Sequence, residues 1–384
     1  MAKKTIWFFL LLLSIALCAC STFPTPRPAA DFPPSQCLPS FPDQDGWYGG
    51  DGAYSIKLDN QHTLWLFGDT FAASDVNRKD RIGMDVVLGT TLAISTCSDN
   101  AEFKIKYYLK KKNSEFISSF GENEWLWPQD PFMVDGILYV PLLVVAVVPE
   151  GKPPFNFKIA GHKMAQIKYD PSTDPHEWRI KYIDLTPAVP ASITALATTS
   201  LVLQDYVYFY PLYSYEKDKI KTTGNILARI RIDKLNSPAG AIEYLNNDGL
   251  WDKKLNPRLV KIVLTAGVSE LSVRYHAEDQ KWLAVYSSAG NKGQEVLYQW
   301  AYALEGPWSA PSALVAGIPE VDPKSPLYDK NTFCYAGKEH IEFAVSRNLI
   351  ITYVCNSAED SQNKTSFIRK NLFLYRPVVR QVSY

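Results

Sequence analysis

One pattern constrains what this chain can fold into: five times, a strand that opens on a small or polar residue runs through a turn into a strand rich in aromatics. The units are DGAYSIKLDNQHTLWLFGD, DPFMVDGILYVPLL, TTSLVLQDYVYFYPLY, ELSVRYHAEDQKWLAVYSS and EHIEFAVSRNLIITYVC, beginning near residues 51, 130, 198, 270 and 339. Short runs of β-branched and aromatic residues bounded by turn residues read as strands. The clearest lie at 54–58, 63–67, 86–95, 137–148, 200–213, 225–232, 271–276, 282–287, 295–302 and 349–354, and no long helical period stands beside them. The chain is therefore predicted to be all-β. The units are spaced by about 60 to 80 residues, more than the roughly 40 to 50 of a compact propeller blade, which implies long loops. Radial repetition protects sheet edges, so the repeats predict a five-bladed β-propeller, with an insertion-rich double-sheet sandwich as the alternative. The polar stretches 110–114, 216–223 and 359–364 read as solvated loops between strands.

The residues ahead of the repeats read as an address and a tether. A basic start at residues 1–4 precedes a continuous apolar run at 6–17 and then Leu17-Cys18-Ala19-Cys20. This order is that of an export signal. The run is shorter than the roughly twenty residues needed to span a bilayer. Leu17 and Ala19 before Cys20 match a lipoprotein cleavage site, which makes residues 1–19 the signal and Cys20 the lipidated first residue. The alternative is an ordinary cleaved signal. In a Gram-negative cell, Ser21 at the second mature position points to the outer membrane. Residues 20–45 carry seven prolines (24, 26, 28, 33, 34, 39 and 42) and read as an extended linker, leaving 46–384 for the propeller. Export places Cys37, Cys97, Cys334 and Cys355 where disulfides persist. Four cysteines allow three pairings, and buried free thiols are the alternative.

Charge narrows the function. Forty Lys and Arg balance forty Asp and Glu, so no nucleic-acid partner is expected. The five histidines lack metal-binding spacing, and there is no P-loop, GxSxG elbow or dinucleotide fingerprint. No metal or other cofactor is predicted.

The most informative stretch is the first unit. Asp51, within Gly49-Gly50-Asp51-Gly52, and Asp69, within Gly68-Asp69-Thr70, lie nine positions either side of Asn60 in the turn. Antiparallel partners share a face, so a turn centred there puts both carboxylates at one open end of the hairpin; a one-residue slip would separate them. The flanking glycines permit a bulge or the close approach of a ligand. Two carboxylates flanking a cavity are what glycoside hydrolysis requires. Asp next to Gly also caps turns. Asp130 opens the second unit as Asp51 opens the first, and Glu270 and Arg274 lie at the start of the fourth; these are candidate substrate-binding residues, with a turn Asp and a buried ion pair as the plainer readings. Trp47, Tyr48, Trp125 and Trp127 suit the apolar faces of sugar rings, whereas Trp65 reads as core. His340, near the start of the fifth unit, is a further candidate, against a satisfied structural histidine.

The run GGDGAYSIKL…TLWLFGDTF, followed by VVLGTTLAIS, EWLWPQDPFMVDGILYVPL, EGPWS, CYAGKEHIEF and LIITYVCNS, resembles domain-of-unknown-function family 4185 from about residue 47 to 375. Its relatives include the endo-D-arabinanases of glycoside hydrolase family 183, which are five-bladed propellers. The resemblance implies an essential pair at Asp51 and Asp69 and inverting hydrolysis of an arabinan-like furanoside polymer. Analogy with wider arabinanase-like propellers makes Asp51 the base and Asp69 the acid. Where His-Pro-Glu-Leu is expected in the last motif, this chain has His340-Ile341-Glu342-Phe343. The expectation is thus a lipid-anchored glycoside hydrolase of the outer membrane, arabinanase-like, whose partners are a poly- or oligosaccharide and the membrane reached through Cys20. The competing expectation is a non-catalytic surface propeller that binds carbohydrate or protein.

Overall fold

The computed structural model describes residues 35–384 apart from 218, 290–292, 360–362 and 364–365. The predicted signal, Cys20 and the linker up to residue 34 lie outside the described residues. The chain is all-β: among the described residues the α-helical content is one short segment, α1 (Phe367–Lys370), with a few 3₁₀ turns.

Five sheets each carry one repeat unit. In the first, β2 (Tyr54–Lys57), β3 (His62–Phe67), β6 (Thr91–Cys97) and β7 (Phe103–Tyr107) follow in order, while β1 (Trp47–Gly50), β4 (Thr70–Ala72) and β5 (Asp85–Val87) continue its strands as a smaller sheet. A ribbon of β8 (Lys110–Lys112) and β9 (Glu115–Ile117) leads on to the second sheet. There β10 (Trp125–Pro128) and β11 (Phe132–Val134) both pair with β12 (Ile137–Val147), which pairs with β13 (Phe157–Lys168) and that with β14 (Ile180–Asp184). The third is β16 (Ser200–Leu203), β17 (Tyr206–Phe209), β20 (Ala228–Arg231), β21 (Glu243–Leu245) and β22 (Trp251–Asp252), extended by a sheet of β15 (Ile193–Ala195), β18 (Leu212–Lys217), β19 (Ile220–Ile226) and β23 (Ile262–Leu264). The fourth runs β24 (Leu271–His276), β25 (Lys281–Ser287), β26 (Glu295–Ala301), β27 (Ser312–Ala316), and the fifth β28 (Thr332–Glu339), β29 (Asn348–Ser357), β30 (Val378–Ser383).

Strand alternation determines the packing. Period-two side chains give each sheet two apolar faces, and each face finds the neighbouring sheet. Leu64 and Leu66 of the first sheet pack with Leu138 and Val140 of the second. Phe132 and Tyr139 of the second meet Val207 and Phe209 of the third. Tyr208 and Leu203 of the third meet Val273 and Trp282 of the fourth. Leu283 and Val285 of the fourth meet Leu349 and Ile351 of the fifth, and Ile350 of the fifth shares a cluster with Trp65 and Phe67 of the first. Trp65, read as core, is fully buried.

Two expectations are corrected here, and one strand lies beyond the runs picked out in the sequence. The fifth unit does not begin at 339: its first strand is β28, and Ile341–Phe343 is a 3₁₀ turn between β28 and β29. The long strand β13, with mixed polar and apolar residues, lies outside the predicted runs. The folded domain also begins before residue 46. Cys37 is buried and disulfide-bonded to Cys97 of β6, and Phe41 packs edge-on against Trp65 and Phe67. The second disulfide joins the directly paired Cys334 and Cys355 of β28 and β29.

Candidate active site

The first hairpin holds the register expected of it. Tyr54 pairs with Leu66 and Lys57 with Thr63, and beyond the strand ends Gly50 pairs with Thr70. Between them the Asp51 N–H donates to the Asp69 carbonyl at 2.9 Å, while the Asp51 carbonyl accepts from Gly68 N–H at 2.7 Å. One residue thus faces two, which is a bulge, and bulges re-aim side chains. A Cβ on Gly68 would stand 3.2 Å from the Asp51 Cβ and 3.7 Å from the Trp127 ring, so a side chain there would crowd the carboxylates.

Asp51 and Asp69 line a single cavity of about 600 Å³, together with Trp125, Trp127, Glu270 and Tyr335. Its size suits a small ligand. The two carboxyl groups differ in their partners. Asp69 Oδ1 accepts three hydrogen bonds: from Gly89 N–H at 2.7 Å, Trp125 Nε1 at 2.8 Å and Trp127 Nε1 at 2.9 Å. Burial pushes its pKa up to about 6, and the three donors, by favouring the anion, hold it from going higher. Asp51 Oδ1 accepts from the Tyr335 hydroxyl. Its pKa is pushed up to about 8, first by burial and next by the negative charge of Glu270, against the Tyr335 hydrogen bond.

Glu270 lies on the cavity wall and pairs with Lys338 Nζ at 3.1 Å. That ammonium is itself buried and sits 3.6 Å from the centroid of the Tyr54 ring, so a carboxylate and a ring face replace its water.

The remaining predicted site residues stand elsewhere. Asp130 and Arg274 are joined to each other and do not line the cavity. Arg274 Nη2 reaches both Asp130 oxygens at 2.9 and 3.1 Å, and Asp130 also accepts from Thr199 Oγ1 and Ser200 N–H. They are a buried ion pair, not sugar ligands. Trp47 has no exposed surface and stacks on Tyr107 at 4.5 Å, because the closing sheets cover both its faces. Tyr48 is buried, its hydroxyl donating to the Asp75 carbonyl at 2.6 Å. His340 is buried between Ser55 Oγ and Thr352 Oγ1, each 2.7 Å from a ring nitrogen; burial lowers its pKa well below the usual value, so it is a neutral structural histidine. Of the predicted aromatics, Trp125 and Trp127 alone reach the cavity, and their indole N–H groups are engaged with Asp69.

Sequence reasoning did not single out Tyr335, Phe333, Lys338 or Phe157. Alternation held a signal for two of them: Cys334 turns to its disulfide partner, so Phe333 and Tyr335 share the opposite face. Phe157 packs edge-on against Trp127 at 4.7 Å and Trp125 at 6.0 Å, bracing the pair that holds Asp69. Among the described residues no group of three or more His, Cys, Asp or Glu is arranged to hold a metal ion.

The family model for domain of unknown function DUF5005 matches residues 40–383, and the chain belongs to that family. This overturns the resemblance to family 4185; the GGDG and GDT motifs on which it leaned carry the bulged first hairpin of this chain. No curated protein matches the chain. Among solved structures, a candidate hydrolase of Bacteroides ovatus is 15% identical over 88% of this chain and 86% of its own, with a TM-score of 0.62, and has the same fold. Family 43 glycoside hydrolases are also among the structural neighbours. A family 43 enzyme of Xanthomonas citri is 11% identical over 90% of each chain with a TM-score of 0.45. The exo-β-1,3-galactanase of Phanerochaete chrysosporium, solved with β-1,3-galactotriose, is 10% identical over 91% of this chain and 64% of its own, with a TM-score of 0.43.

Proposed function

We propose that this DUF5005 member is a glycoside hydrolase in which Asp51 is the general acid and Asp69 the general base. The observation that carries the reading is the pairing, in one cavity, of two carboxyl groups, Asp69 buried and Asp51 half-buried, whose surroundings separate their proton affinities. Groups pushed apart in this way divide acid and base work between them. Near pH 7 Asp51 holds its proton and Asp69 is mostly ionised. Asp51 then protonates the glycosidic oxygen as its bond to the anomeric carbon breaks. Asp69 takes a proton from the water whose oxygen bonds to that carbon. Exchange with solvent restores both groups. This order reverses the one that analogy with arabinanase-like propellers implies.

The partners of the two groups lie on different elements. Asp51 is drawn to Tyr335 on β28 and Asp69 to Trp125 and Trp127 on β10. Inversion is the course proposed, and it requires the two carboxyl groups to stand about 6.5–9.5 Å apart, with room for the attacking water. Oδ1 of Asp69 takes all three donors, which frees Oδ2 to accept the proton. The arabinan expectation rested on a resemblance now overturned, so the substrate is proposed only as a poly- or oligosaccharide. The architecture proposed is a ring of five blades, supported by the packing of each repeat-bearing sheet on the next and of the last on the first. The leader supports an exported lipoprotein anchored at Cys20 in the outer membrane.

The test is product release from arabinan, galactan and xylan by the wild type and by Asp51→Asn and Asp69→Asn. Cleavage of one polymer that both substitutions abolish is the expected result. A folded protein that binds glycan without cutting it would instead make this a sugar-binding propeller.

A further inference from the structure

The loop between β12 and β13 touches the aromatic supports of both carboxyl groups. It leaves the second sheet at Val147 and returns at Phe157, and it is closed at its neck by the Val148 N–H, which donates to the Asn156 carbonyl at 2.7 Å. Pro153 and Pro154 fix two of its φ angles, so the loop has few ways to move aside. At its end Phe157 packs on the Trp125–Trp127 pair that holds Asp69. At its tip Phe155 reaches away from its own sheet to Phe333 of β28, with ring centroids 5.8 Å apart. Phe333 stacks on Tyr335 at 5.4 Å, and Tyr335 donates to Asp51. The contact therefore runs from the second sheet to the fifth across the mouth of the cavity that both carboxyl groups line, and Pro153, Pro154 and Phe155 are part of that cavity's wall. Phe155 is nonetheless 57% exposed, a bare aromatic face at the rim.

Resting on the hydrolase reading above, we infer that the β12–β13 loop roofs the site, so that the enzyme takes its glycan by a chain end and not by an internal segment, with Phe155 as the specificity-determining residue. An internal stretch of polymer must be laid in from the side, and a bridge joining two walls bars that approach. A chain end passes beneath it. The exposed face of Phe155 then covers the apolar face of a sugar ring at the entrance.

The experiment follows reducing ends and viscosity together while the full chain acts on linear arabinan, β-1,3-galactan and β-1,4-xylan, beside Phe155→Ala and Phe155→Tyr. The wild type should release one short product from the first minutes, with viscosity almost unchanged at a tenth of the bonds cut. Phe155→Ala should give a ladder of products and a several-fold faster fall of viscosity per bond cut, with the limbs of its pH profile unmoved. Phe155→Tyr should behave as the wild type. The exposed position makes loss of folding a small risk, and a circular dichroism melt checks it. A ladder from the wild type, or a single product from Phe155→Ala, would overturn this inference and leave the hydrolase reading standing. No cleavage of any of the three by folded wild type would remove both.

Discussion

Two aspartates, Asp51 half-buried and Asp130 buried, open neighbouring repeat units and meet opposite fates. Asp130 is met by the Arg274 guanidinium at 2.9 Å, with a hydroxyl and a backbone N–H besides. Asp51 is met by a single phenol; Glu270 and Asp69 raise its proton affinity, and Lys338, which is paired with Glu270, lowers it by less. A buried carboxylate with a cation beside it serves structure. One surrounded by other carboxylates keeps its proton into the neutral range, and a proton held there is available for chemistry. The same residue at the same place in the repeat is thus assigned its role by what the neighbouring sheets bring to it.

The sharpest way to break this contrast is substitution to asparagine. Asp51→Asn and Asp69→Asn should each lower kcat about 10²–10⁴-fold, the usual contribution of a positioned acid or base, while the protein still folds with the wild-type circular dichroism spectrum. Asp130→Asn should do the converse, leaving most of the chemistry but costing about 3–5 kcal/mol of stability by stranding Arg274 in the interior. Denaturant unfolding of the three variants decides it, and an Asp130→Asn protein as stable as the wild type would erase the distinction.

Next in size is the pH profile. Asp69 must be ionised, so activity should rise through about pH 6, and Asp51 must be protonated, so it should fall through about pH 8. Trp127→Phe removes a donor that favours the Asp69 anion and should move the acidic limb upward. Tyr335→Phe removes one that favours the Asp51 anion and should move the alkaline limb upward. Limbs that stay in place in both variants would detach the profile from these two groups.

A further expected effect is the slope of stability with pH. The folded pKa of Asp51 lies above its unfolded value, so the folded state holds the proton more firmly. Its contribution is fully present below about pH 4 and declines as pH rises toward about 8. Asparagine does not titrate, so Asp51→Asn should gain stability relative to wild type across that interval, in melts recorded at pH 4, 6 and 8. A constant difference would mean that the proton is not retained on folding.

The parts of this site that sequence conveys are those set by local geometry. The hairpin register followed from the period of two and a turn at equal distance from both aspartates, and the placement of Asp51 beside Asp69 followed from the register. What closes over a strand was not legible. Trp47 and Trp125 are the same residue near the same motifs, yet one is sealed between sheets and the other lines the cavity. The difference comes from which sheet packs against each, a contact between distant segments. Tyr335 shows the limit most plainly, since it lies 284 positions from the carboxyl group it serves. Arg274 likewise finds Asp130 across 144 positions.

That separation also bears on when the site comes into being. Asp51 and Asp69 are neighbours as soon as the first hairpin closes, but the hydroxyl that steadies Asp51 and the Phe333 beneath the roof arrive with β28, near the end of the chain. A product cut short before residue 332 would carry both acids and the donors of Asp69, but lack the hydroxyl that serves Asp51 and the Phe333 wall of the entrance. On the hydrolase reading, turnover would report that synthesis has passed β28: a strand made late completes the site that the first hairpin begins.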